Sequence, residues 1–483
     1  MLSIRSRTLT ALTLGYLALP VALFLCGWLK IWLGIPVAAL LALAVVWHVR
    51  GEDAGDAVEL GRWPAALAML AALALWVFLS GQGGYFYQSY DHHWRNAIFH
   101  DLIDQPWPVR YEQTGAALVY YLVYWLPAAA VGKAFGWAAA NAALYLWSLL
   151  GVGLCALLLL RELQARTLGE RLLIVAALAL FSGLDVLGMA MQQMSTGRAN
   201  WQHLEWWAGY YQFSSNSTQL FWVYNQTVAP WLATVLLLRQ RRAGGMALLC
   251  ALTLPYAPMP FVGLLPLALA QVVRALRGRA RDFWPWLRGA LEPQTAAALA
   301  IGIVFALYFS SNAAAGSGRS PWFWASAQPL WAAVSMYGFF LLLEVGVPLL
   351  VLWHCDHRQP MLRAVAATLA LCPLFAVGQA SDFCMRASIP ALMVLMVLCL
   401  RALLDARRVR RFRPAIVALA LCLLLGAATP LTEIKRGALA VAQAGRLGLV
   451  ADDIGTLRDK VDDFDNFLAF NARERPFFRY LAR

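Results

Sequence analysis

Charge is what this chain of 483 residues has least of: 13% of its side chains are Asp, Glu, Lys or Arg, against 61% hydrophobic. A water-soluble globule could not hide that much apolar surface in its interior, so the composition is that of a polytopic membrane protein. Strand-type alternation is missing as well, which leaves helices of about 20 apolar residues to satisfy the backbone inside lipid. Cysteine pairs are absent. Cys26, Cys155, Cys250, Cys355, Cys372, Cys384, Cys399 and Cys422 stand singly, mostly in apolar runs and without CxxC spacing, as buried thiols do. A soluble basic face is absent too: the net charge of +13 comes largely from Arg clusters between apolar runs. It reads as topology and excludes nucleic acid as a partner.

What is present orders the spans. The Arg-bearing segments 1–7, 49–62, 161–171, 239–243, 274–289, 354–363 and 401–414 belong on one side, the cytoplasmic one. The N-terminal run resembles a signal sequence but continues for about 20 residues, so it is read as a retained first helix with a cytoplasmic N-terminus. Spans follow at 9–29, 31–48 and 63–80. Of the next two apolar stretches, 116–131 and 137–160, only one can cross if Arg161 is to return inside. The first is short, Tyr-rich and broken by Pro127 and Gly132, so 95–104 and 116–131 are expected as interfacial helices within a first outer loop, 81–136. Residues 246–273, with Pro255, Pro258 and Pro260 in the middle, are expected as a hairpin of two helices. Further spans near 172–190, 226–238, 296–310, 329–353, 364–380, 389–402 and 415–430 bring the total to about thirteen. The expected fold is an all-α membrane bundle over 1–431 followed by a short extracytoplasmic helical tail, 432–483.

This topology brings the polar, aromatic loops 81–115, 191–225 and 311–328, the Pro255 tip and the patch Ser381–Arg386 to the outer face, where they can form one site. Asp91, just after a span, is a candidate general base or an N-cap for the helix that follows. His92 and His93 are adjacent and point apart, so they do not share a metal. Asn96, His100 and Asp104 line one helical stripe beside the apolar Trp94, Ile98, Leu102 and Ile103, the pattern of an amphipathic interfacial helix. Arg110 and Glu112, after the extended turn at Pro106 and Pro108, either pair with each other or meet substrate. His203, Glu205, Trp206, Trp207, Tyr210 and Tyr211 combine imidazole, carboxylate and rings in a way that suits sugars, although belt aromatics would look the same. Asn225 and Gln226 stand at the mouth of a span, where unpaired amides are costly. Asp382 and Arg386 lie at the membrane boundary, where Arg386 would either clamp a phosphate or pair with Asp382 at i, i+4.

These residues carry a resemblance. An acid in the first outer loop, interfacial helices after it, about a dozen spans and a membrane-edge Arg resemble the GT-C superfamily of integral membrane glycosyltransferases. The blocks Asp91-His-His-Trp-Arg-Asn-Ala, Trp107-Pro-Val, Tyr120-Tyr with Leu126-Pro and Gly132-Lys, and Asp382-Phe-Cys-Met-Arg-Ala-Ser-Ile-Pro also resemble bacterial membrane proteins of that type related to pilin glycosyltransferases. The resemblance spans residues 60–400 by architecture. It implies a polyprenyl-phosphate sugar as donor, with an extracytoplasmic glycan, lipid or protein as acceptor, in the bacterial inner membrane. It assigns Asp91 as base or acceptor-orienting group and Arg386 as partner of the donor phosphate, with His92, His93, Asn96, Arg110, Glu112, His203, Glu205, Asn225 and Asp382 around the substrates. The superfamily's paired acidic signature is interrupted here by His-His after Asp91. That departure leaves a divalent metal without support from these residues, and no ligand set is assigned. The competing expectation is a transporter or flippase, which would place charges within its spans; only Asp185 and Glu344 do so.

Overall fold

The apolar runs become helices in the computed structural model, which describes residues 2–52, 56–277, 283–316, 329–378, 381–409, 413–458 and 465–483. Among these residues nine helical segments are long and apolar enough to cross a membrane: Ser6–Trp28, Ile31–Arg50, Val123–Glu162, Leu168–Thr196, Pro258–Ala275, Pro293–Ser310, Leu330–Asp356, Ile389–Arg408 and Pro414–Ala444. Four shorter apolar helices, Trp63–Leu79, Val228–Leu237, Ala243–Thr253 and Pro360–Leu374, stand with them. The chain is nearly all-α, as expected. Among the described residues five short strands are the exception. Leu2–Arg5 pairs antiparallel with Ala57–Gly61, while Arg110–Tyr111, Ala116–Leu118 and Leu468–Ala469 form a second antiparallel sheet.

The Pro-rich segment does divide Ala243–Thr253 from Pro258–Ala275. Two expectations are corrected. Residues 116–131 are not one helix: Ala116–Leu118 is the central strand of the second sheet, and helix begins only at Val123. That helix runs to Glu162 but changes course at Gly136, whose φ of 82° suits a residue without a side chain. The expected span 172–190 is interrupted as well, between Leu168–Leu180 and Asp185–Thr196. Its backbone groups bond sideways there: Phe181 O accepts from Asn216 N at 3.1 Å, and Leu184 N donates to Leu343 O at 3.1 Å. Such cross-helix bonds make a break tolerable at membrane depth.

The Arg-bearing segments gather through contacts with one another. The strand ribbon joins 2–5 to 57–61. Arg239 pairs with Asp56 at 3.0 Å, Arg171 with Glu59 at 3.8 Å and Arg408 with Glu170 at 3.0 Å. Trp286 donates to Arg241 O, and Arg277, Phe283, Arg358 and Arg363 line one cleft. These contacts bring the Arg-bearing segments next to one another. Of the expected outer loop 311–328, residues 317–328 lie outside the described residues, as do Lys460, Asp462 and Asp463 of the tail.

One close approach fixes the position of the patch that carries Asp382 and Arg386. A Cβ on Gly263, in Pro258–Ala275, would sit 1.8 Å from Ala387 O. Backbone has little freedom to retreat, so Gly263→Ala is expected to destabilise by about 1–3 kcal/mol. A lower midpoint in detergent thermal unfolding checks this.

Candidate functional site

The helix His92–Asp104 is where the site begins, and it is not the half-exposed interfacial helix its sequence pattern describes. Arg95, Asn96 and Asp101 are buried along with Ile98, Phe99 and Leu102. The C-terminal tail covers it. Asn96 Nδ2 donates to Ala451 O at 2.8 Å and to Gln88 Oε1 at 2.8 Å; His100 Nε2 meets Asp452 at 3.1 Å, and His93 pairs with Asp453. Asp101 accepts from Tyr111 OH at 2.6 Å, from Leu457 N at 3.0 Å and from the Thr456 hydroxyl. Burial pushes the Asp101 carboxyl upward, and those three donors hold it down in part. Asp101→Ala leaves the donors without a partner at a cost on the order of 3 kcal/mol. The variant is therefore expected to lose its tail to limited proteolysis faster than the wild type does.

The long helix of the expected appendage is Ala428–Ala444, and among the described residues only the short helical turns Asp465–Phe467, Ala472–Glu474 and Phe477–Leu481 follow it. The tail lies across the first loop at residues 449–457 and adds Leu468–Ala469 to its sheet. It ends with Arg483 N bonded to Trp28 O at 2.9 Å. Arg110 donates to Arg483 O and lies over the Phe478 ring, so it clamps the tail and does not pair with Glu112, which is exposed.

Between the first loop, the second loop and the Asp382 helix lies a cavity of about 600 Å³. Asp91, Arg95, Tyr120, Asp382 and Arg386 line it, together with His203, Trp206, Gln212, Ser214, Thr218 and Trp222; the tail contributes Asn466 and Phe467. Four segments distant in sequence therefore share one chamber. Asp91 occupies the N-cap position of its helix but makes no side-chain cap bond, so the capping alternative is not realised. Its Oδ2 accepts instead from Arg95 Nη2 at 2.9 Å. Arg386 and Asp382 form the i, i+4 pair at 3.3 Å, and Arg386 still borders the cavity. Tyr120 lines the same cavity as Arg95, Arg386 and Asp91, so two guanidiniums and a carboxylate share its chamber.

The second loop supplies the other cluster. His203 Nδ1 bonds Glu433 Oε1 at 2.5 Å, and Glu433 Oε2 accepts from Trp222 Nε1 at 2.9 Å and from Arg436 Nη2 at 2.5 Å. The His203 ring meets Trp206 edge-on at 4.5 Å between centroids. Glu205 is fully buried behind this wall. Its carboxylate accepts from Gln212 Nε2 at 2.8 Å and Ser215 N at 2.8 Å, and burial pushes its pKa up to about 7 against the pull of His203.

Of the expected substrate residues, Asp91, His203, Asp382 and Arg386 line the cavity and the others do not. His92 is buried against Tyr224 and bonds Ser89 Oγ at 3.1 Å; burial first, then Arg95, lowers its pKa. Asn225 is buried with Nδ2 directed at Tyr121 O, 3.4 Å away. Asn96 and His93 hold the tail. Arg95, Gln212, Thr218, Trp222, Glu433 and Arg436 went unpredicted. Arg95 had a signal, its i, i+4 spacing from Asp91; Glu433 and Arg436 had none, being 230 and 233 residues from His203. Among the described residues no group of three His, Cys, Asp or Glu side chains is placed to hold a metal.

Comparison with protein-family models, with curated proteins and with solved structures returns no match to this chain.

Proposed function

We propose that the protein is a membrane glycosyltransferase that moves a sugar from a polyprenyl-phosphate donor to an extracytoplasmic acceptor. The observation that carries this reading is the convergence of Asp91 and Arg386 on one cavity walled by Trp94, Trp206 and Trp222. A phosphate suits a guanidinium fork, and sugar rings suit aromatic walls with a few hydrogen-bonding groups. Arg386 meets the phosphate on which negative charge develops as the donor bond breaks, while Asp91 activates or orients the acceptor hydroxyl. Tyr120 and the nearby Arg95 complete the donor end.

In this reading the four shorter apolar helices cross the membrane with the nine long segments, making thirteen crossings of a GT-C-like bundle. The gathered Arg segments are then cytoplasmic, in the bacterial inner membrane, and the cavity opens on the outer face. The acceptor is a glycan, lipid or protein that reaches that face.

A second reading, a transporter, draws on one observation. Asp185 and Glu344 meet at the break in Leu168–Thr196. Ser182 and Thr429 donate to Asp185 at 2.9 and 2.8 Å, and Trp207 donates to Glu344 at 2.9 Å. Buried acids at a discontinuous helix are a transporter feature.

The two readings separate on bond cleavage. Detergent-solubilised protein, given a panel of labelled polyprenyl-phosphate sugars and a membrane extract as acceptor source, is expected to release polyprenyl phosphate from one donor and label an acceptor. Movement of intact donor across proteoliposomes without cleavage is the outcome that favours transport.

A further inference from the structure

Asp91 shares its cavity with a second ionisable group from the other loop, His203. We infer that His203, held by Glu433, takes the proton of the acceptor hydroxyl, and that Asp91 orients that hydroxyl and supplies charge; this rests on the glycosyltransferase reading above.

The geometry is that of an oriented imidazole. Glu433, on Ala428–Ala444, accepts from His203 Nδ1 at 2.5 Å and is itself fixed by Trp222 and Arg436. A carboxylate on Nδ1 sets the tautomer and leaves the Nε2 lone pair as the basic edge. His203 borders the cavity, and among the described residues Nε2 has no protein partner. Asp91, by contrast, shares Oδ2 with Arg95. A general base needs a lone pair within reach of the acceptor and a means of carrying the charge it gains. Glu433 supplies the second.

The step balances as a single displacement. The acceptor oxygen bonds to the anomeric carbon as its proton passes to His203 Nε2. The bond from the anomeric carbon to the phosphate oxygen breaks, its electron pair leaves with polyprenyl phosphate, and Arg386 meets the charge formed there. The imidazolium then returns its proton to water.

The charges around the ring set its pH behaviour. Glu433 and Arg436 face it from Ala428–Ala444, and Glu205 stands two residues away; Asp91, Arg95, Asp382 and Arg386 line the same cavity. Burial works against the charged form, but the Glu433 bond and the Glu205 and Glu433 charges outweigh it, so the His203 pKa is raised. A base must be neutral to act, so transfer is expected to fall as pH drops through this raised value.

Two measurements on the full chain in detergent test the inference. In the first, sugar transfer is followed against pH for wild type, His203→Gln, Glu433→Gln and Glu433→Asp. His203→Gln is expected to lower kcat by about 10²- to 10⁴-fold with little change in donor KM. Glu433→Gln is expected to move the acid limb to lower pH, and Glu433→Asp to restore part of it. In the second, modification of His203 by diethylpyrocarbonate is mapped against pH by mass spectrometry, which requires no transfer activity. Its midpoint is expected above the ordinary histidine value of about 6.5 and lower in Glu433→Gln. Wild-type kcat in His203→Gln, with normal wild-type transfer, overturns the base role alone. So does a His203 that is unreactive at every pH, or one whose midpoint ignores Glu433. Failure of the wild type to use any polyprenyl-phosphate sugar overturns the glycosyltransferase reading, and the base role with it.

Discussion

Asp91→Asn is expected to slow sugar transfer by about 10²- to 10³-fold, the usual cost of removing one preorganised charged group from a reacting centre. The substitution keeps the side chain's shape and one oxygen for Arg95, whose Nη2 now lies 2.9 Å from Oδ2. What it removes is the negative charge. The anomeric carbon becomes electron-poor as the donor bond stretches, so a carboxylate on the cavity wall contributes in the transition state and little in the bound ground state. Donor KM is therefore expected to stay within about twofold, because only transition-state stabilisation is lost. Asp91→Glu, which restores the charge one methylene further out, is expected to recover part of the rate. Initial rates across a range of donor concentrations check both.

Arg386→Ala is the second large effect, and it is expected to differ in kind. A guanidinium bonded to phosphate contributes in the ground state as well as in the transition state. Loss of a charged hydrogen-bond partner costs about 1.5–3 kcal/mol, which corresponds to roughly 10- to 100-fold in donor KM, with kcat falling too as leaving-group charge goes unmet. Arg386→Lys should recover only part of the affinity, since an ammonium is a point charge and cannot present a planar fork. The Asp382 carboxylate at 3.3 Å holds Arg386 in place through their i, i+4 pair. Structural pairing and phosphate binding, set against each other as alternatives from the sequence, are compatible in one side chain. Donor titrations of wild type, Arg386→Ala and Arg386→Lys provide the measurement.

The fold was legible where length, hydropathy and charge act locally. The long apolar helices and the two helices on either side of the Pro255 segment follow from hydropathy and proline chemistry. What escaped prediction depends on contacts between distant segments. The helix His92–Asp104 has the pattern of an interfacial helix, yet it is buried because residues 355 positions away lie across it. Ala116–Leu118 became a strand because Leu468–Ala469 pairs with it. No periodicity within either segment encodes its partner.

The site divides in the same way. Asp91, His203, Asp382 and Arg386, which line the cavity, stand out in the sequence because each places a costly polar group in an aromatic or membrane-edge setting. Asn96, His93 and Arg110 have the same local character but bind the tail. Glu433 was hidden in a segment read as an appendage, 230 residues from the His203 that it bonds.

Glycosyl transfer within the Asp91 cavity is tested most directly by giving wild type and Asp91→Asn the same labelled polyprenyl-phosphate sugar in the same detergent. Donor binding and release of polyprenyl phosphate are followed together. Both proteins are expected to bind the donor alike, and only the wild type to cleave it at an appreciable rate. Equal cleavage by the two proteins, or donor bound by the wild type and never cleaved, would contradict the proposed reaction.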